Sequence, residues 1–320
     1  MSKTVLARLA HRRKIYTGET FEQAHQALAA LPYGSSPLPA AGSRAQEEFE
    51  SDVFLEVHRG ADYREFPFGI RSTVPDAHTL RLKVESERQA ELMLTFMLPV
   101  HGPEEEVGGV CGLRIRNHSR DGIEFHQPGR SCSLWMTGPP ETAWRRIEAA
   151  RLLHVTEIGC KPCWRCPDWT EEELLHKATW GSDSWTARFR EGGWLTSGLL
   201  RRLPLFHTVA VPQAVSAWHG LGPGTAHWKM ELDHLPASSY RVDELLEALT
   251  DPVFGLPFAP NPSQRQHRTP EEGGTRVRLQ DQSKTGVLEM LFCRFDNQLE
   301  KKRPELHAAI ATRISAVKGT

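Results

Sequence analysis

The chain has 320 residues, of which 39% are hydrophobic, 25% charged and 8% aromatic. This composition is typical of a globular protein and excludes a fibrous or wholly disordered chain, and the length allows one large domain or two ordinary ones. The formal net charge of -1 gives the whole molecule no attraction for polyanions or anionic lipids, so a partner of that kind requires a local basic patch.

Apolar runs and cysteines bear on the compartment. The most apolar run, Leu92 to Val100, is broken by Thr95 and is too short to cross a bilayer. Three of the six cysteines crowd together and three are scattered, which is not the pattern of a disulfide-stabilised secreted domain. We therefore expect a protein of the reducing cytoplasm that does not span a membrane.

Residues 1–31 predict a basic helix pair. Leu6 and Leu9 lie at helical spacing, and Thr20 with Gln23 forms the S/T-x-x-E/Q capping signature that opens a second helix. The cations of the first helix could bind phosphate groups while the second helix faces base edges, as in nucleic-acid recognition. A solvated basic face is the alternative explanation. The candidate nucleic-acid-binding residues are Arg8, Arg12, Arg13 and Lys14.

The next stretch predicts a linker followed by a helix and an antiparallel sheet. Residues 32–43 (PYGSSPLPAAGS) are rich in Pro, Gly and Ser and indicate the linker. Residues 44–138 begin with the helical repeat of Phe49, Val53 and Val57 and continue with alternating apolar positions. The predicted strands lie around residues 80–84, 92–96, 113–115, 123–125 and 134–136. Asp121-Gly122 predicts a hairpin turn, so we expect an α+β fold in which flanking helices cover an antiparallel β-meander.

Residues 139–259 predict a mixed α/β region that is rich in Trp, because all nine Trp of the chain lie between Trp135 and Trp228. Thr170 with Glu173 repeats the capping signature. Most of these Trp fit a core, but four are out of phase with apolar neighbours and could line a groove: Trp164, Trp169, Trp180 and Trp185. Residues 260–274 indicate a loop, and residues 275–320 predict terminal strands and a last helix.

The sharpest local signal is the triad Cys160, Cys163 and Cys166, whose two-residue spacing suits thiolate ligands of one ion. Zinc needs a fourth ligand. His154 is the first candidate, and His176 or another cysteine is the alternative. The triad therefore predicts a structural zinc site. Three ordinary small buried residues are the competing interpretation, and an iron–sulfur cluster or a dithiol redox pair fits the spacing less well.

Several acid–base pairs are also conceivable. His118 with Asp121 and His126, and Asp233-His234 beside Glu231, have the residue types that proton transfer uses, although surface or structural histidines are the commoner explanation. Familiar signatures of hydrolases and nucleotide-binding enzymes are absent from the sequence.

We therefore predict an accessory binding protein of the cytoplasm, with protein or nucleic acid as its partner and a structural zinc ion bound by the Cys triad. The alternative is a metal- or thiol-dependent enzyme whose site gathers His154 with Cys160, Cys163 or Cys166.

Overall fold

A computed structural model of the chain describes residues 3–32, 34–58, 66–103, 106–182, 192–210, 214–219, 226–234, 241–259, 265–267, 274–283 and 285–294. The helices are α1 (Lys3–Thr17), α2 (Phe21–Ala30), α3 (Arg44–Val57), α4 (Glu87–Met97), α5 (Glu141–Glu157), α6 (Glu171–Ser182), α7 (Gly193–Arg201) and α8 (Val242–Leu249). Short helical turns lie at Pro67–Gly69, Cys163–Arg165, Leu203–Leu205 and Phe206–Ala210.

The strands of the first half of the chain are short. They are β1 (Ile70–Pro75), β2 (Leu80–Val84), β3 (Val100–His101), β4 (Val107–Gly108), β5 (Arg114–Ser119), β6 (Gly122–His126) and β7 (Ser133–Thr137). The later strands are β8 (Lys161–Pro162), β9 (Ala214–His219), β10 (Ala226–His234), β11 (Arg265–His267), β12 (Gly274–Gln280) and β13 (Gly286–Arg294).

The chain divides into two compact units. A terminal unit combines Met1–Leu31, Ala61–Gly69 and Arg202–Thr320, and a central unit combines Pro32–Gly60 and Ile70–Arg201. The domain borders expected from composition stay predictions.

The central unit is built on a five-stranded sheet in the order β1-β2-β7-β6-β5. Strands β2 and β7 run parallel, and the other neighbours run antiparallel. Alternate residues form one buried face of the sheet, which contacts α4 at β2 and α5 at β5 and β6. The side chains of this buried face include Leu80, Leu82, Ile123, Phe125, Leu134 and Met136. A small three-stranded sheet, in the order β4-β3-β8, belongs to the same unit.

A buried ion pair ties distant segments of the central unit together. The guanidinium of Arg201 donates to both carboxylate oxygens of Glu50 at 2.6 and 2.7 Å, and neither side chain is exposed. Arg201 also donates to the carbonyl oxygens of Pro39 and Asp76 at 2.8 Å. The predicted linker is therefore packed, and Leu38 within it is buried.

The terminal unit contains the N-terminal helix pair and a second five-stranded sheet in the order β11-β12-β13-β10-β9. Ala10, Ala24 and Leu28 form a small core between α1 and α2. Tyr16 of α1 donates its hydroxyl to the carbonyl of Ala248 at 3.0 Å, which joins the pair to α8.

The predicted α+β class and the N-terminal helix pair are confirmed. The hairpin turn is also present: Gly122 has φ 135°, and a Cβ there would lie 2.1 Å from the carbonyl oxygen of Met136. The strand predicted at 92–96 is instead part of α4. Ser86 caps this helix by accepting from the N–H of Gln89, and its buried positions follow a helical stripe.

None of the described helices is long and apolar enough to cross a membrane.

We expect Glu50→Gln to destabilise the protein by roughly 3–5 kcal/mol, because the change leaves the buried Arg201 cation without its counter-ion. Urea unfolding followed by circular dichroism measures this loss. Arg44→Gln is the control, since it removes an exposed pair with Glu48 that is worth at most about 1 kcal/mol. Equal losses for the two variants would contradict the role given to Glu50.

Asp233 predicts a pH dependence of stability. Burial, reinforced by the charge of Glu231, raises the pKa of Asp233 from 3.8 to about 7. Between these values the native state holds a proton that the unfolded state has lost, so stability falls as the pH rises from about 4 to 7. We expect Asp233→Asn to flatten this fall by at least about 1 kcal/mol, measured by urea unfolding at pH 5 and pH 8. An unchanged difference between the two pH values would contradict the assignment.

Candidate functional site

A cleft of about 470 Å³ opens beside the edge strand β5 of the central unit. Its walls come from three segments that are far apart in sequence. The edge strand contributes Arg114 to His118 with His126 of β6, α5 contributes Arg145 and Glu148, and the turn after β8 contributes Trp164 to Pro167. Basic side chains dominate this lining, which contains four Arg and two His but only one Glu.

The cleft follows the free edge of β5. Ile115 pairs with Phe125 and His118 with Ile123, so these two residues point to the buried face of the sheet. Arg114 pairs with His126 on the opposite face, and the register shifts between Ile115 and Asn117. Since residues of both faces line the cleft, it runs along the strand rather than across one face.

A buried ion pair fixes one wall. Glu173 and Arg114 are joined by two hydrogen bonds, Nη2 to Oε2 at 2.6 Å and Nη1 to Oε1 at 3.1 Å. Glu173 also accepts from the backbone N–H groups of Thr170 and Gly112. Burial alone would raise the pKa of Glu173, but these donors lower it below its ordinary value. Arg114 further donates to the carbonyl of Asp168 at 2.6 Å, which holds the segment after the turn against β5.

Glycine at position 112 is required in this wall. Its φ is +76°, and a Cβ would lie 2.3 Å from the ring of Trp169. Trp169 is itself held by a hydrogen bond from its indole N–H to the carbonyl of Pro128 at 3.1 Å.

The carboxylate of Glu148 connects two walls of the cleft. Its Oε1 accepts from Nη1 of Arg165 at 3.1 Å, and its Oε2 lies 3.1 Å from Nε2 of His118. Burial lowers the pKa of His118, and the charge of Glu148 opposes this shift only in part. Burial and the nearby Arg116 also lower the pKa of His126. These shifts favour the neutral form of both imidazoles, whereas the arginines of the cleft stay charged.

Three of these arginines are well exposed, with side-chain exposures of 47% for Arg116, 60% for Arg145 and 57% for Arg165. Among the described residues, their carboxylate partners are Glu124 at 2.9 Å, Glu141 at 2.8 Å and Glu148 at 3.1 Å, respectively. Exposed pairs of this kind are worth at most about 1 kcal/mol. Arg116 and Arg165 use only Nη1 in their pairs, so most of the five N–H donors of each guanidinium are left for a ligand.

The predicted zinc site at Cys160, Cys163 and Cys166 with His154 is wrong. Within the described ranges, no group of three or more His, Cys, Asp or Glu side chains is placed to hold a metal ion. Pairing of β8 with β3 extends the chain after Cys160, and the short helical turn that follows turns Cys163 into the core, where it is fully buried. His154 lies on an exposed face of α5.

The environment of Cys163 suits a structural thiol. Its Sγ lies 4.0 Å from the donating hydroxyl of Thr170 and 3.7 Å from the carbonyl oxygen of Lys161. Burial raises the pKa of the thiol, and the charge of Glu173 adds to the effect. A thiol with a raised pKa is a poor nucleophile and a poor metal ligand. The alternative of a metal- or thiol-dependent enzyme at this triad therefore loses its basis, and Cys166 remains only as part of the cleft wall.

The four candidate nucleic-acid-binding residues of α1 differ in their surroundings. Arg13 is buried, and its Nε donates to Glu19 at 2.7 Å. Arg12 pairs with Asp251 and lies over the ring of Phe254. Arg8 and Lys14 are exposed. Nucleic-acid binding by α1 stays a prediction.

The sequence identified part of the cleft without its geometry. His118 and His126 were candidates for acid–base chemistry and do line one cleft, but the carboxylate beside His118 is Glu148 and not Asp121. Trp164, a candidate groove residue, is also in the wall, whereas Trp185 lies outside the described residues. Little in the sequence indicates Arg145, Glu148 and Arg165 as site residues. Arg145 and Glu148 are marked only by their helical spacing, and Arg165 only by its position next to Trp164.

Comparisons of the chain with models of protein families, with curated proteins and with solved structures give no match.

The native thiols test the correction of the zinc site. We expect iodoacetamide to label Cys160 and Cys166, which are partly exposed, at least about tenfold faster than Cys163, because burial protects a thiol and a raised pKa slows its reaction. Peptide mass spectrometry measures labelling at each position, and urea-unfolded protein is the control in which all three react. Labelling of native Cys163 as fast as Cys166 would contradict its placement.

Proposed function

We propose that the protein binds an anionic ligand, with carboxylate or phosphate groups, in the cleft beside β5. The observation that carries this proposal is the convergence of Arg116, Arg145 and Arg165 from three segments on one cavity. Guanidinium groups suit carboxylate and phosphate because their donors form a planar fork that matches two oxygen atoms.

The three arginines form exposed ion pairs that a ligand can share or replace. Their partners are Glu124, Glu141 and Glu148, and each of these pairs leaves the arginine side chain well exposed. A ligand oxygen can share a guanidinium with its protein carboxylate, because one pair leaves further N–H groups to donate. Binding therefore does not require the buried pair of Arg114 and Glu173 to open.

We also propose that the protein resides in the reducing cytoplasm. The five cysteines that the structure describes are free thiols, which supports the reducing cytoplasm expected from their spacing.

Pyrophosphate is the probe that tests anion binding. We expect the double variant Arg116→Gln/Arg165→Gln to bind pyrophosphate at least about tenfold more weakly than the wild type in isothermal titration calorimetry at low salt, because charge-assisted hydrogen bonds are lost. Both side chains are exposed, so the fold should persist, and circular dichroism checks this.

The matched control is Arg44→Gln/Arg120→Gln, which removes the same two charges from side chains that are 71% and 93% exposed and do not line the cleft. We expect it to change the affinity by less than about twofold, because exposed charges act weakly over distance. Equal weakening in both double variants would show attraction to the general surface charge. That result, or no binding at millimolar pyrophosphate, would overturn the proposal.

A further inference from the structure

The two edges of the central sheet differ in what lies beside them. At one edge, β1 is packed beside α7, and the hydroxyl of Thr73 donates to the carbonyl of Arg201 at 2.8 Å. At the other edge, β5 has β6 as its one strand partner among the described residues, and it borders the cleft. An uncovered edge strand is a template for a further strand, since half of its backbone N–H and C=O groups lack a ladder partner.

Among the described residues, the backbone of β5 has a single strand partner, β6. In the part of the chain that the structure describes, its strand residues form backbone hydrogen bonds only with β6. The cleft wall includes five consecutive residues of this strand, Arg114 to His118. An extended chain that pairs with this strand would lie about 4.8 Å from it, on the side where the cleft borders β5.

The charges beside this edge select the sequence of such a chain. Arg116 lies on β5 at the shift in register, and Arg145 and Arg165 approach from α5 and from the turn after β8. Side chains of an added strand alternate between two faces at about 3.3 Å per residue. Acidic side chains at alternate positions would share one face of the added strand, and that strand would lie in the cleft that these arginines line.

We propose that β5 is the docking strand for an extended acidic segment of a partner protein, which adds a sixth strand to the five-stranded sheet and places its carboxylates on Arg116 and Arg165. This inference rests on the proposed anion binding and names the carrier of the negative charge. Main-chain hydrogen bonds supply affinity in this mode of recognition, and the arginines supply the preference for acidic side chains.

The test uses a fluorescein-labelled hexapeptide, Glu-Thr-Glu-Val-Glu-Thr, and fluorescence anisotropy with the full chain. Two further peptides have the same side chains but carry N-methyl groups on one or the other set of alternate amides. Only one edge of the peptide can pair with β5, so we expect one N-methylated peptide to bind at least about tenfold more weakly and the other to bind like the parent. We also expect Arg116→Gln/Arg165→Gln to weaken the parent peptide by at least about tenfold, and Arg44→Gln/Arg120→Gln to leave it unchanged.

Three results would overturn the inference. If both N-methylated peptides bind like the parent while pyrophosphate still depends on Arg116 and Arg165, β-pairing is absent and the anion site stands. If one N-methylated peptide is weakened but the arginine variant is not, a strand adds at another edge. If free citrate or a hexathymidylate binds more tightly than the peptide and shows the same loss in the arginine variant, the natural occupant is a small anion or a nucleic acid. If, in addition, Arg116→Gln/Arg165→Gln and Arg44→Gln/Arg120→Gln weaken pyrophosphate binding equally, the proposed function itself is wrong.

Discussion

The buried pair of Arg114 and Glu173 is the interaction on which the cleft depends. Removing two charges from water costs several kcal/mol per ion, so such a pair persists only when its hydrogen-bonding groups are largely satisfied. Glu173 meets this requirement with the Arg114 guanidinium and two backbone N–H groups. Arg114 begins the edge strand and also holds the carbonyl of Asp168. One pair thus fixes the distance between β5 and the segment that forms the opposite wall.

The remaining arginines of the cleft have a different role because they are at the surface. Their partners are single exposed or half-buried carboxylates, and these pairs contribute little to the free energy of unfolding. They leave most of the N–H donors of Arg116 and Arg165 for a ligand. A chain with a net charge of -1 can therefore present a local basic cleft, which total charge does not reveal.

The sequence predicted those parts of the fold that follow from local rules. The capping boxes at Thr20 and Thr170 and the turn at Gly122 are present, because they depend on contacts within a few residues. The strand predicted at 92–96 is wrong because the residues belong to helix α4. Over this short run the apolar residues of the helix also alternate with a period of two, which is typical of a strand. Sequence spacing could not show that β2 and β7 pair in parallel.

The candidate site needed long-range information. The thiol spacing of Cys160, Cys163 and Cys166 suggested convergence, but spacing does not determine the direction of side chains, and pairing of β8 with β3 turned Cys163 into the core. His118 and Glu148 are thirty residues apart in sequence and meet only because α5 packs on β5. A distance of that kind depends on tertiary packing, which a single sequence does not encode locally.

Anion binding in the cleft can be followed at each arginine through the NMR signal of its Nε–H during a titration with pyrophosphate. We expect the signals of Arg116 and Arg165 to shift together and to saturate at one affinity, while those of Arg44 and Arg120 stay in place. Shifts of similar size at all four arginines, or shifts that never saturate, would contradict a defined anion site in the cleft.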